Sequence, residues 1–177
     1  MTLEDTLQNE INSVISLFSS GNTQEALNNA LALTKTYPNE ASLFNICGAC
    51  FAELKRFNDA VESYKKALFI KPDYAKAHFN LAGTFHDLDK LNDAVKSYES
   101  ALQIEPNYAE AHNNLGNVLK DLNQNELAMH CYERAIAINP NYVEAYYSLG
   151  ILFQNLGKLD EAVKNFKAVL VIKPKFS

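Results

Sequence analysis

Five prolines, Pro38, Pro72, Pro106, Pro140 and Pro174, stand at a constant interval of 34 residues in a chain of 177. A period this long marks stacked supersecondary units, each burying its apolar face against its neighbours, rather than one globular core. Proline lacks the N–H that a helix needs and biases its predecessor away from the α region, so each one predicts a helix end and a unit boundary. Other columns keep step. Ala26, Ala60, Ala94, Ala128 and Ala162 form one, and Gly48, Ala82, Gly116 and Gly150 form a second. Glycine inside a helix costs ~1 kcal/mol relative to alanine. Its recurrence predicts that two helix backbones approach too closely there for a larger side chain.

Larger residues fill the complementary columns: Leu81, Leu115 and Leu149 with Cys47; Phe51, Phe85, Leu119 and Phe153; Tyr64, Tyr98, Tyr132 and Phe166. Leu115, Leu119 and Leu122 are spaced four and three apart, as are Ala128, Tyr132 and Ala135, which puts each set on one helical face. Two amphipathic helices per unit follow. The turn inside each pair holds residues such as Gly21-Asn22, Asp89-Lys90 and Gly157-Lys158, and the segment before each proline closes the second helix.

The pattern Leu115-Gly116, Leu119, Ala128, Tyr132, Ala135 and Pro140 resembles the tetratricopeptide repeat, a 34-residue helix-turn-helix unit. The resemblance covers nearly the whole chain as a single array of five units: 7–40, 41–74, 75–108, 109–142 and 143–176. It implies an all-α fold, a right-handed helical solenoid of stacked antiparallel helix pairs. The first unit departs from the pattern, with Ser13, Val14 and Ser20 where the others place Leu, Gly or Ala, and Leu; it reads as an N-terminal cap. The family's frequent tryptophan is replaced by Phe44, His78, His112 and Tyr146. No C-terminal capping helix is evident after the fifth unit. That end reads as a fragment of a longer chain or as a self-associating face, with Val163, Phe166 and Leu170 available to another copy.

Charge and composition narrow the partners. The formal net charge is -5, the pI is near 5.4, and arginine occurs only at Arg56 and Arg134. A nucleic-acid partner needs a basic face and is not expected. Met1 to Glu10 carry no Lys or Arg, and no segment approaches the ~18 apolar residues of a membrane span, so neither a secretory signal nor a membrane partner is expected. Three cysteines are too few and odd in number for a disulfide framework, which points to a reducing, cytoplasmic setting.

Catalytic chemistry finds no foothold in the repeat frame, and neither a cofactor nor a metal is expected. Cys47 and Cys50 have redox or zinc spacing, but Cys47 occupies a packing column in mid-helix and no second pair completes four ligands. His78 and His112 share the column of Phe44 and Tyr146. There is no Gly-rich phosphate loop, no nucleophile elbow and no His-Glu-x-x-His.

Function is therefore expected on the concave groove that the resemblance places along the first helix of each pair. Its candidate binding residues are Asn45, Lys76, Phe79 and Asn80 in the first half of the chain. Glu110, Asn113, Asn114, Asn117, Lys120 and Tyr147 continue it in the second half. An Asn carboxamide both donates and accepts, so a column of them can hold a peptide backbone whatever its side chains. Asn80 and Asn114 are one period apart, and such columns resemble those of the repeat domain of O-linked N-acetylglucosamine transferases; here the column is broken by Ile46 and Ser148. The competing account is that Asn is simply frequent in this chain. The basic clamp with which a subclass of the family grips acidic chaperone tails is missing, because Asn45, Phe79, Asn113 and Tyr147 stand at its positions. The expected role is a non-catalytic scaffold that binds a protein or peptide segment, not a chaperone acidic tail. Two alternatives are a substrate-recruiting domain of a longer transferase-type enzyme and a self-assembling homo-oligomer.

Overall fold

The computed structural model describes residues 3–173. Ten helices and no strands occur among them. The chain forms two compact units, residues 1–89 and 90–177. Unit 1 holds α1 (Leu3–Ser19), α2 (Thr23–Thr36), α3 (Ala41–Glu53), α4 (Phe57–Ile70) and α5 (Ala75–Asp87). Each packs on its sequence neighbours, and α3 also touches α1 and α5. Unit 2 holds α6 (Leu91–Ile104), α7 (Ala109–Asp121), α8 (Asn125–Ile138), α9 (Val143–Asn155) and α10 (Leu159–Ile172), with the same neighbour packing and α7 against α9.

The periodic columns explain these elements. Ala26, Ala60, Ala94 and Ala128 have no exposed surface, and Tyr64, Tyr98 and Tyr132 are buried to 2% exposure or less. The glycine column works differently from the sequence expectation. A Cβ on Gly48 would lie 2.5 Å from Tyr64 Cε1, and one on Gly116 or Gly150 would lie 2.6 Å from Cε1 of Tyr132 or Phe166. The glycine thus makes room for the partner helix's ring, not for its backbone. In the first pair the sizes are exchanged: Val14 stands in the glycine column and Ala30 in the ring column, and both are buried.

The turns carry the period too. Gly21, Lys55, Asp89, Asn123 and Gly157 all adopt positive φ, between 57° and 83°. After α3, the Lys55 N–H bonds Ala52 O at 2.9 Å and the Arg56 N–H bonds Phe51 O at 2.8 Å, the paired bonds of a Schellman ending. The second helices end at Thr36, Ile70, Ile104, Ile138 and Ile172. After the first four of these ends a tight turn follows, closed by bonds such as Tyr142 N–H to Asn139 O at 3.0 Å, with proline at its second position, where a fixed φ near −65° fits; Pro174 lies outside the described residues. Side-chain caps contribute little. Among the caps described, only Glu40 accepts a bond from its helix, at Ser42 N, so packing of the amphipathic faces stabilises these short helices.

Candidate functional site

The first helices of the pairs carry the candidate residues: α3 and α5 in unit 1, α7 and α9 in unit 2. In unit 1, Asn45 is buried at 6% exposure and its Oδ1 accepts a 3.0 Å bond from Asn80 Nδ2 on α5. The Asn45 amide also opposes the rise in the pKa of the Tyr74 phenol, which burial and then Glu40 push up. Lys76 is exposed and Phe79 is half-buried on the same helix.

Unit 2 arranges the same residue type otherwise. Asn113 is 4% exposed and donates through Nδ2 to Asn114 Oδ1 at 3.2 Å. Its own Oδ1 is buried without a hydrogen-bond partner. Asn117 Oδ1 accepts from the Tyr132 hydroxyl at 2.8 Å. Lys120 pairs with Asp121 at 3.6 Å. Glu110 and Glu144 are exposed, and their negative charges add to burial in pushing the Tyr142 phenol up to about 12. Tyr108 rises to about 12 as well, through burial, Glu110 and Glu105.

The structure brings Asn113, Asn117 and Tyr147 together around a cleft of about 680 Å³, with Val143, Glu144, Ser148, Phe166, Val169 and Leu170. Tyr147 is 55% exposed and its ring lies 5.9 Å from that of Phe166. Lys76, Phe79 and Asn80 belong to unit 1 and do not line this cleft. Glu110, Asn114 and Lys120 lie on α7 outside its wall. Sequence reasoning left the α10 residues Phe166, Val169 and Leu170 out of the binding set because their columns are packing columns elsewhere. The signal available was that Phe166 and Leu170 sit in the last pair, where no further helix covers them among the described residues.

The side chains that suggested other chemistry are structural. Burial pushes the Cys47 thiol up to about 12 and the Cys50 thiol to about 11, which suppresses the reactive thiolate. Among the described residues no His, Cys, Asp and Glu cluster forms that would hold a metal ion. His78 and His112 each donate Nε2–H to the carbonyl of the boundary proline six residues earlier, Pro72 or Pro106, at 3.0 Å. They tie the start of one repeat to the end of the one before. Burial lowers the His112 pKa, against the Pro106 bond.

These helix pairs, with small residues under rings and proline at each boundary, define a helical repeat protein. The "TPR repeat" family model matches residues 48–89, 83–122 and 116–157, and the "Tetratricopeptide repeat" model matches 143–176. The chain belongs to the tetratricopeptide repeat family, whose members are generally non-catalytic scaffolds for protein–protein interaction, and its fold class is the all-α repeat solenoid. The crystal structure of MamA is 28% identical, with a TM-score of 0.80 over 90% of this chain and 94% of that one. The Thermus thermophilus protein TTC0263 has the same fold, with a TM-score of 0.80 at 23% identity over 96% of this chain and 92% of that one. A peroxisomal targeting signal receptor of Kluyveromyces lactis is 36% identical over 62 residues, 35% of this chain and 10% of that protein. The chain thus matches about a tenth of the length of that relative. No helix among the described residues is long and apolar enough to cross a membrane.

Proposed function

We propose that the inner-helix face binds an extended segment of a partner protein, with Asn, Tyr147 and the neighbouring carboxylates as its recognition groups. The observation that carries this reading is the cleft of unit 2. There a buried amide with an unused acceptor, Asn113, adjoins a half-exposed aromatic ring, Tyr147. Peptide sites combine these two elements, a polar strip for the main chain and an apolar seat for a side chain. The K. lactis relative is named as a receptor for a targeting signal, which agrees with a peptide-recognition role. Three buried thiols suit a reducing compartment, and a cytoplasmic location is proposed on that ground.

The test uses an array of immobilised random decapeptides. The double substitution Asn113→Ala with Tyr147→Ala, both in the wall of the cleft, is expected to lower array binding by about tenfold, while helicity by circular dichroism stays unchanged. Undiminished binding by the double variant rejects the cleft as the recognition site.

Self-assembly is the second reading. It rests on the last pair, where Leu159 is 63%, Val163 49% and Leu170 51% exposed; apolar surface gathered in this way suits an interface. Light scattering over a wide concentration range distinguishes the two. A constant mass near 19.8 kDa removes self-assembly, and a mass that rises with concentration supports it. A substrate-recruiting role within a longer transferase-type enzyme rests on the sequence resemblance alone.

A further inference from the structure

The cleft of unit 2 is lined by one charged residue, Glu144, and by no lysine or arginine. Its apolar wall is formed by Val143, Tyr147, Phe166, Val169 and Leu170. Two acceptors adjoin that wall. One is the exposed Glu144 carboxylate, whose charge reinforces that of Glu110 around Tyr142. The other is Asn113 Oδ1, buried and without a donor. A buried acceptor left unpaired costs about 1–3 kcal/mol, and a ligand that brings a donor recovers that cost.

The equivalent place in unit 1 is closed. Asn45 holds the same repeat position as Asn113, two periods earlier, and is satisfied by Asn80. Two periods after Asn80 stands Ser148, whose side chain is shorter and makes no such bond to Asn113. Lys76 and Glu110 likewise occupy one column, so the sign of the charge there reverses between the units. Donor deficiency, negative charge and an apolar wall coincide in unit 2.

We propose that this cleft is a subsite for a cationic residue of the partner segment. An arginine or lysine lays its aliphatic stem along Tyr147, Phe166 and Leu170 and brings its head to Glu144; the Asn113 carboxamide, which lines the cleft with its Oδ1 buried, turns that oxygen toward the bound head. The inference rests on the groove reading above and adds the chemical class of the ligand to it. A guanidinium fits best, because it donates in two directions at once and stacks on an aromatic face. Long cationic side chains cover apolar surface with their stems while the head stays at the polar rim. An acidic residue at the same place meets like charge and is rejected.

The full chain, isotopically labelled, is titrated with three blocked pentapeptides of sequence Ala-Leu-X-Leu-Ala in which X is Arg, Gln or Glu. The Arg peptide is expected to bind about tenfold or more tighter than the Gln peptide, as a charge-assisted hydrogen bond allows. Its amide shifts are expected to centre on Asn113, Glu144 and Tyr147, with no binding of the Glu peptide. In Glu144→Gln, a surface change that keeps the fold, the Arg and Gln peptides are expected to bind equally. Equal affinities in the wild-type protein, with shifts on α7 and α9, overturn the cationic subsite and leave the groove reading standing. Absence of any binding overturns both. A sedimentation mass showing a dimer whose shifts cover Tyr147 and Leu170 also overturns it, since a second copy then fills the cleft.

Discussion

In unit 1, Asn45 of α3 and Asn80 of α5 lie on adjacent helices and share a 3.0 Å hydrogen bond. In unit 2, Asn113 of α7 turns to Asn114 of its own helix, and its carbonyl is left without a donor. The helices, the repeat position and the residue type are the same. The difference lies one helix further along, where unit 1 has Asn80 and unit 2 has Ser148. A repeated residue therefore has no fixed role; its neighbour on the next helix decides whether its amide is spent on the fold or remains for a ligand.

A second contrast concerns packing and carries the largest expected effect. Gly116 lies beneath the Tyr132 ring, whereas the first pair of unit 1 places Val14 and Ala30 in those columns. Gly116→Val is expected to destabilise the chain by about 2–3 kcal/mol through overpacking, measured by urea denaturation. Adding Tyr132→Ala reproduces the arrangement of the first pair and should recover part of the loss. Strict additivity of the two changes would show that the columns do not compensate each other.

The asparagines give an opposite-sign test of intermediate size. Asn45→Leu strands the Asn80 amide donor and is expected to cost about 1–2 kcal/mol. Asn113→Leu removes an acceptor that is already unpaired and breaks only the 3.2 Å bond to half-buried Asn114, which water replaces, so it is expected to be neutral or to stabilise by up to about 1 kcal/mol. Equal destabilisation by both would mean that the Asn113 carbonyl has a partner in solution.

The smallest effect comes from making unit 2 resemble unit 1. Ser148→Asn places a carboxamide where Asn80 stands and is expected to stabilise by about 0.5–1 kcal/mol, the net worth of one hydrogen bond. The same change should weaken peptide binding at the cleft. Greater stability with unaltered binding would separate the Asn113 carbonyl from recognition.

Much of the fold could be read before any coordinates. The proline interval located all five second-helix ends, and the turn residues read from the sequence, Gly21, Asp89 and Gly157, all have positive φ; the structure adds Lys55 and Asn123 at the same repeat position. The glycine column was recognised as a point of close approach, but not as a seat for Tyr64, Tyr132 and Phe166, because spacing reveals that room is needed and not which atoms occupy it. The ten candidate residues came from the helix that the repeat assigns to the groove. Three of them, Asn113, Asn117 and Tyr147, meet at one cleft; the others stand apart from it.

Local propensity and period act along the chain, so the sequence by itself determined the helices, their pairing and the buried columns. Hydrogen-bond satisfaction and coverage act across helices. Only the tertiary structure decided that Asn45 is closed by Asn80, that Asn113 is not closed by Ser148, and that Phe166 and Leu170 line a cleft. The physical reason is reach: a side chain's partner is whatever lies within about 3 Å of it, and that neighbour is set by helices brought side by side.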